Sequence, residues 1–197
     1  MRGDATLASV GRSLTLEEKQ QRLYYRIIGY DAVVVFVHEA NPVTNLSKQQ
    51  LKAIFAGRMS NWQEVGWTDA TIVCITLNRG EKRALMVEFQ EHVMDDAPYR
   101  EDRKEVDQSP DVVAALRTEP YGIAILSPAF TSASIKTLAI DGFAPERQHV
   151  QSGAYLLSRP LLLISQAHPP TQVKQFIDFM LSPEGQEIVG RKFVPAR

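Results

Sequence analysis

The chain has 197 residues, with 22 Lys and Arg against 23 Asp and Glu, for a formal net charge of −1. That balance argues against a dedicated nucleic-acid binder, which carries a basic excess. The longest apolar runs, Ala32–Val37 and Leu161–Ile164, fall far short of the ~20 residues a membrane helix needs. A single cysteine, Cys74, excludes an intrachain disulfide framework and a cysteine-cluster metal site.

Met1–Ser9 contains no apolar signal core, so the chain is expected either to be cytoplasmic or to begin after a removed leader. Tyr30–Val37 is a β-branched, continuous apolar run, the pattern of a strand buried on both faces. Asn41-Pro42-Val43-Thr44-Asn45 is a turn cluster. Ser47 and Gln50 form a capping box, and Leu51, Ile54 and Phe55 follow at helical spacing before Gly57, which predicts a helix over 48–56. Thr71–Leu77 reads as a second buried strand, and Leu85, Met86, Phe89 and Val93 mark one face of a helix over about 83–94.

Ser109 and Pro110 open a helix through Val112–Leu116. Tyr121–Leu126, Ile135–Ile140 and Leu161–Ile164 read as strands. Thr171 caps a helix whose apolar face carries Val173, Phe176, Ile177, Met180 and Leu181, and Ser182-Pro183 opens a final short one. Strands alternating with helices predict an α/β fold with mostly parallel sheets. The mixed charges of 91–107 predict a solvated surface.

Several motifs, in order, resemble the phosphate-binding component of bacterial phosphate ABC transporters. They are Ile28–Val35 followed by Asn41–Leu46, then Leu51–Gly57 with Asn61–Gly66, then Gln151–Leu161 and Phe176–Gln186. The resemblance covers almost the whole chain. It implies an α/β type II periplasmic binding protein fold: two lobes joined by two hinge strands, with the ligand in the cleft between them. On that template residues 1–33 and 156–197 form one lobe, incomplete at its N-terminus, and 34–155 form the other. The hinges are expected near Asp31–Val35 and Tyr155–Leu162.

Two departures from the family pattern bear on the site. The family opens with a strand and loops rich in Ser and Gly that donate part of the phosphate site, whereas this chain starts near the family's Ala-Ser-Arg motif, here Leu7-Ala8-Ser9-Val10. The family's Arg is followed four residues on by Ser-Gly-Thr-Arg; here Arg79 is followed by Arg83-Ala84-Leu85-Met86, so hydroxyl donors are lost and a cation is gained.

An oxyanion needs convergent amides, hydroxyls and a guanidinium. The resemblance nominates Ser9, Asp31, Arg79 and Arg83 as ligand-binding residues. Each also has a plainer reading. Arg79 and Arg83 suit a solvated helix start, Ser9 a cap or turn, and Asp31 a structural salt bridge. His38, His92, His149 and His168 lack metal-ligand spacing, and Asp95-Asp96 fits a solvated face better than a catalytic pair. Cys74 reads as a buried inert thiol, and Trp62 and Trp67 as packing groups.

No nucleophile–base constellation is visible, so an enzyme is not expected, and no cofactor or metal is implied. The leading expectation is a solute-binding module for phosphate or a similar oxyanion, binding weakly and delivering to an ABC transporter permease. On family resemblance it would lie in the periplasm or otherwise outside the cytoplasm. The alternative is a degenerate domain that acts through protein contacts or signalling without a ligand. An exposed edge strand on the incomplete lobe predicts self-association into a homo-oligomer.

Overall fold

A computed structural model describes residues 6–78 and 84–196. The chain begins with β1 (Ala8–Val10), α1 (Leu16–Gln20), β2 (Tyr24–Ala32), β3 (Val34–His38), β4 (Asn45–Leu46), α2 (Lys48–Phe55) and β5 (Val73–Leu77). It continues through α3 (Ala84–His92), β6 (Lys104–Val106), α4 (Ser109–Thr118), β7 (Gly122–Leu126), β8 (Ile135–Thr137), β9 (Ala139–Ile140) and α5 (Arg147–Ser152). The last elements are β10 (Ser158–Ser165), α6 (Thr171–Met180), α7 (Pro183–Gly190) and β11 (Val194–Pro195). The class is α/β, as the alternation of patterns predicts.

Local chemistry sets the helix starts. The Ser47 hydroxyl accepts from the Gln50 amide at 3.1 Å, and the Gln50 side chain accepts from the Ser47 amide at 2.8 Å, the reciprocal cap expected from sequence. Thr15 and Glu18 close a second such box on α1. At α7 the Ser182 hydroxyl accepts from the Gly185 amide at 3.2 Å. Gly185 is obligatory there, because a Cβ would sit 2.2 Å from the Phe179 carbonyl oxygen.

The chain divides into two compact units. Unit 1 comprises residues up to Ala32, Val150–Gly153 and everything from Ser158 onward; unit 2 comprises Val33–His149 and Ala154–Leu157. The sheet of unit 1 has four strands in the order β1-β10-β2-β11, with every pairing antiparallel. One face packs Ile28, Leu161 and Leu163 against Ile177, Val173, Met180 and Leu181 of the α6 region. The other face packs Leu162, Ile164 and Val10 against Leu14 and Leu23.

Unit 2 has a five-stranded sheet, β6-β5-β7-β3-β8, and a small parallel pair, β4-β9. Here β5 runs parallel to β6 and β7, while β3 runs antiparallel to β7 and β8. The expectation of mostly parallel sheets is therefore corrected. Parallel neighbours require a long crossover. The stretches carrying α3 and α4 supply crossovers for β5, β6 and β7, whereas β3 joins this sheet as an antiparallel neighbour of β7 and β8.

Other departures share a physical cause in tertiary pairing. The apolar run 30–37 is two strands in two sheets, interrupted at Val33, whose amide donates to the Leu157 carbonyl at 3.0 Å. The run 135–140 divides at Leu138, whose amide turns to the Val35 carbonyl at 2.9 Å. Phe176, expected on the apolar face of α6, is 45% exposed. The buried stripe centres on Ile177, and at about 100° per residue its neighbour Phe176 points aside.

The acidic residues and Lys104 of the charged stretch 91–107 are exposed, as its composition implies, and Arg100 and Arg103 depart from that pattern. The Arg100 side chain is 8% exposed and holds Asp102 through two short hydrogen bonds, while Arg103 pairs with Glu105. Tyr99 joins Phe55 and Phe89 in an aromatic cluster and donates its hydroxyl to the Met86 carbonyl at 2.9 Å.

Cys74, on β5, is buried beneath Arg100, and burial pushes its thiol up to about 11 despite the guanidinium 3.9 Å away. Above the ordinary thiol range the unfolded chain ionises first and binds fewer protons than the folded one, so stability falls with rising pH. The expected loss between about pH 9 and about pH 11 is roughly 2–3 kcal/mol at about 1.36 kcal/mol per pH unit. Denaturant unfolding at pH 7 and 10.5 checks this, and Cys74→Ala is expected to flatten the difference. A thiol reagent at pH 8 should modify the folded protein at least ~100-fold more slowly than the unfolded chain.

Candidate functional site

In unit 2 the carboxyl ends of β5, β6 and β7 lie at one edge of the sheet, because these three strands are mutually parallel. Such an edge is where open α/β sheets bind ligands. β5 ends in Leu77, and the Asn78 amide donates to the Val106 carbonyl at 2.8 Å. The Asn78 side-chain amide donates to Asp107 at 3.3 Å. β6 passes through Asp107 into α4, where Asp111 accepts from the Gln108 amide at 3.2 Å. β7 leads into Ser127.

Among the described residues, Asn78, Asp107, Ser109, Asp111 and Ser127 thus place amides, hydroxyls and two carboxylates along this edge. In sequence, the connection between β5 and α3 carries Arg79, Lys82 and Arg83. Arg79 and Arg83 lie outside the described residues.

The other two nominated residues belong to unit 1. Ser9 is the middle residue of β1, exposed and opposite Leu163 of β10, rather than at a strand end. Asp31 lies opposite Arg159 of β10. The Arg159 guanidinium donates to one Asp31 oxygen at 2.7 and 3.2 Å, and the Ala32 amide donates to the other at 2.9 Å. The two side chains are 14% and 23% exposed.

Leu163 and Arg159 are four residues apart on β10, so Ser9 and Asp31 stand more than about 13 Å apart and form no joint site. Sequence alone offered no signal that Arg159, 128 positions away, is the partner of Asp31. Nor did it show that buried Tyr155 donates its hydroxyl to the Val33 carbonyl at 3.0 Å.

Asp95 does not pair with its neighbour as an acid–base couple would. It accepts from Lys52 at 2.6 Å and Lys48 at 2.9 Å, which hold its carboxyl down at about 2. Among the described residues no cluster of three His, Cys, Asp or Glu is arranged to hold a metal ion.

The chain belongs to the PBP superfamily, whose domain model it matches over residues 1–184. Its named relatives are phosphate-binding proteins. It is 27% identical to the phosphate-binding protein PstS of Borreliella burgdorferi, over 93% of this chain and 69% of that one. It is 29% identical to PstS of Bacillus subtilis, over 80% of this chain and 53% of that one. The chain thus spans about half to two thirds of the length of these relatives.

Among solved structures, one from Clostridium perfringens, assigned as a phosphate ABC transporter substrate-binding protein and holding phosphate, superposes with a TM-score of 0.73. It is 30% identical, over 99% of this chain and 81% of that one. The PstS structure from Borrelia burgdorferi gives a TM-score of 0.83 at 25% identity, over 96% of this chain and 79% of that one.

Proposed function

We propose that this chain is a solute-binding module for a small tetrahedral oxyanion, phosphate foremost, serving an ABC transporter outside the cytoplasm. The observation that carries this reading is that three parallel strands, β5, β6 and β7, end at one edge of the sheet, with Arg79 following Asn78 in sequence just after β5. Amides and hydroxyls at that edge orient the anion, and Arg79 supplies the countercharge. The kinship with a phosphate-holding structure supports the choice of ligand. Asp31 acts as a structural partner of Arg159 rather than as a ligand.

Affinity is expected to be modest, because Arg83 and Leu85 stand where the family pattern places the Ser and Thr hydroxyl donors. Each neutral hydrogen bond lost weakens binding by about 0.5–1.5 kcal/mol. Calorimetric titration of phosphate and sulfate into the wild type is expected to give micromolar or weaker binding. Arg79→Ala should weaken it at least ~10-fold, since a charged hydrogen bond is worth about 1.5–3 kcal/mol. Submicromolar phosphate binding would overturn the weakened site. Equal affinity in Arg79→Ala would remove Arg79 from it, and no binding at millimolar phosphate would remove the oxyanion function.

A further inference from the structure

Unit 1 carries a concave pocket of about 410 Å³ that the oxyanion reading does not use. Its walls are Ile28 and Leu161 from the sheet, Met180, and Ile188, Val189 and Phe193 from α7 and the turn after it. Two of these large apolar side chains are left to water, Ile188 at 49% and Phe193 at 37% exposure. Small-molecule sites are typically concave, apolar and about 300–1,000 Å³, with a few polar groups that fix orientation. The polar lining here is Ser9, Arg191 and Lys192, with no carboxylate.

The charge at the rim is distinctive. Arg191 and Lys192 are consecutive, exposed, and absent from every described ion pair. Their amides close the end of α7 onto the Ile188 and Val189 carbonyls at 3.3 and 3.2 Å, which fixes the backbone of both residues at the pocket they line. A second copy of this chain would bring like charges to the same place, whereas an anion with an apolar body complements both halves of the pocket.

We propose that this pocket binds amphipathic anions, of which medium-chain alkyl carboxylates are the simplest. The alkyl chain lies against Ile28, Leu161, Ile188 and Phe193, and the carboxylate faces Arg191 and Lys192. This site is separate from the strand-end oxyanion site of unit 2, and its test does not depend on phosphate binding.

The test is calorimetric titration of hexanoate, decanoate and decanol into the full chain, with sedimentation velocity on the same samples. Each buried methylene tightens binding about 4-fold, from ~0.8 kcal/mol, so decanoate is expected to bind at least ~10-fold more tightly than hexanoate. Decanoate should also bind about 10-fold more tightly than decanol. The double variant Arg191→Gln, Lys192→Gln should lose that preference while keeping decanol affinity, which a general loss of folding would not do. Ile188→Glu should abolish both. Phosphate at equal concentration should leave decanoate bound.

No decanoate binding at millimolar concentration overturns the proposal, as does a carboxylate preference unchanged in the double variant. So does a dimer that Ile188→Glu dissociates and decanoate leaves intact, because that outcome assigns the face to a second copy.

Discussion

Replacing Trp62 with alanine is expected to cost about 3–5 kcal/mol, the range for removing a large aromatic side chain from a core. Trp62 is fully buried in unit 2, packs edge-on against Trp67 at 5.7 Å, and donates its indole N–H to the Tyr121 carbonyl at 2.9 Å. The loss combines a cavity with one of the two hydrogen bonds to the Tyr121 carbonyl, which still accepts from the Val73 amide at 3.0 Å. At roughly 2–4 °C per kcal/mol for a chain of this size, the melting temperature should fall by about 10 °C. Denaturant unfolding followed by circular dichroism checks this. Trp62→Phe should recover most of the packing but not the hydrogen bond, leaving a deficit of about 1 kcal/mol. A loss below about 1 kcal/mol in Trp62→Ala would show that the 3-10 turn at Trp62–Val65 can collapse into the space.

The second large effect is expected in unit 1. Asp31→Ala removes the carboxylate that Arg159 holds at 2.7 Å in a mostly buried pair. Breaking one side of a buried pair costs about 3–5 kcal/mol, and partial exposure brings the expectation here to about 2–3 kcal/mol. Replacing both residues, Asp31→Leu with Arg159→Leu, should restore stability to within about 1 kcal/mol of the wild type, because no desolvated charge then remains. Urea unfolding of the single and double variants separates these outcomes. A single variant as stable as the wild type would mean that water already screens the pair. If Asp31→Ala instead lost phosphate affinity at unchanged stability, Asp31 would have to be treated as a ligand.

Local signals in the sequence were legible wherever a few neighbouring residues suffice. Ser47 with Gln50 marks the start of α2 because both partners of the cap lie within four positions. Ser182-Pro183 marks α7 for the same reason. The buried run Val34–Val37 is readable because a strand covered on both faces has no polar position to spare. The long ordered motifs also identified the superfamily, which the domain match over residues 1–184 shows.

Four residues could be nominated for the site. Two of them, Ser9 and Asp31, have described surroundings, and these are an apolar pocket and a guanidinium. Neither setting was readable from adjacent sequence.

By itself, then, the sequence determined the helix starts and the buried strands, which follow from patterns within about a dozen residues, and the α/β class and the family, which follow from the order of such patterns along the chain. Tertiary structure decided what depends on partners far along the chain. It divided the run 30–37 between two sheets at Val33, because that amide finds the Leu157 carbonyl. It set β3 antiparallel to β7 by pairing residues far apart in the chain, such as Val34 with Leu126. It buried Arg100 over Cys74 in a stretch whose composition reads as solvated. It also joined Asp31 to Arg159 across 128 positions, because a mostly buried carboxylate must find a donor and pattern alone does not say which one.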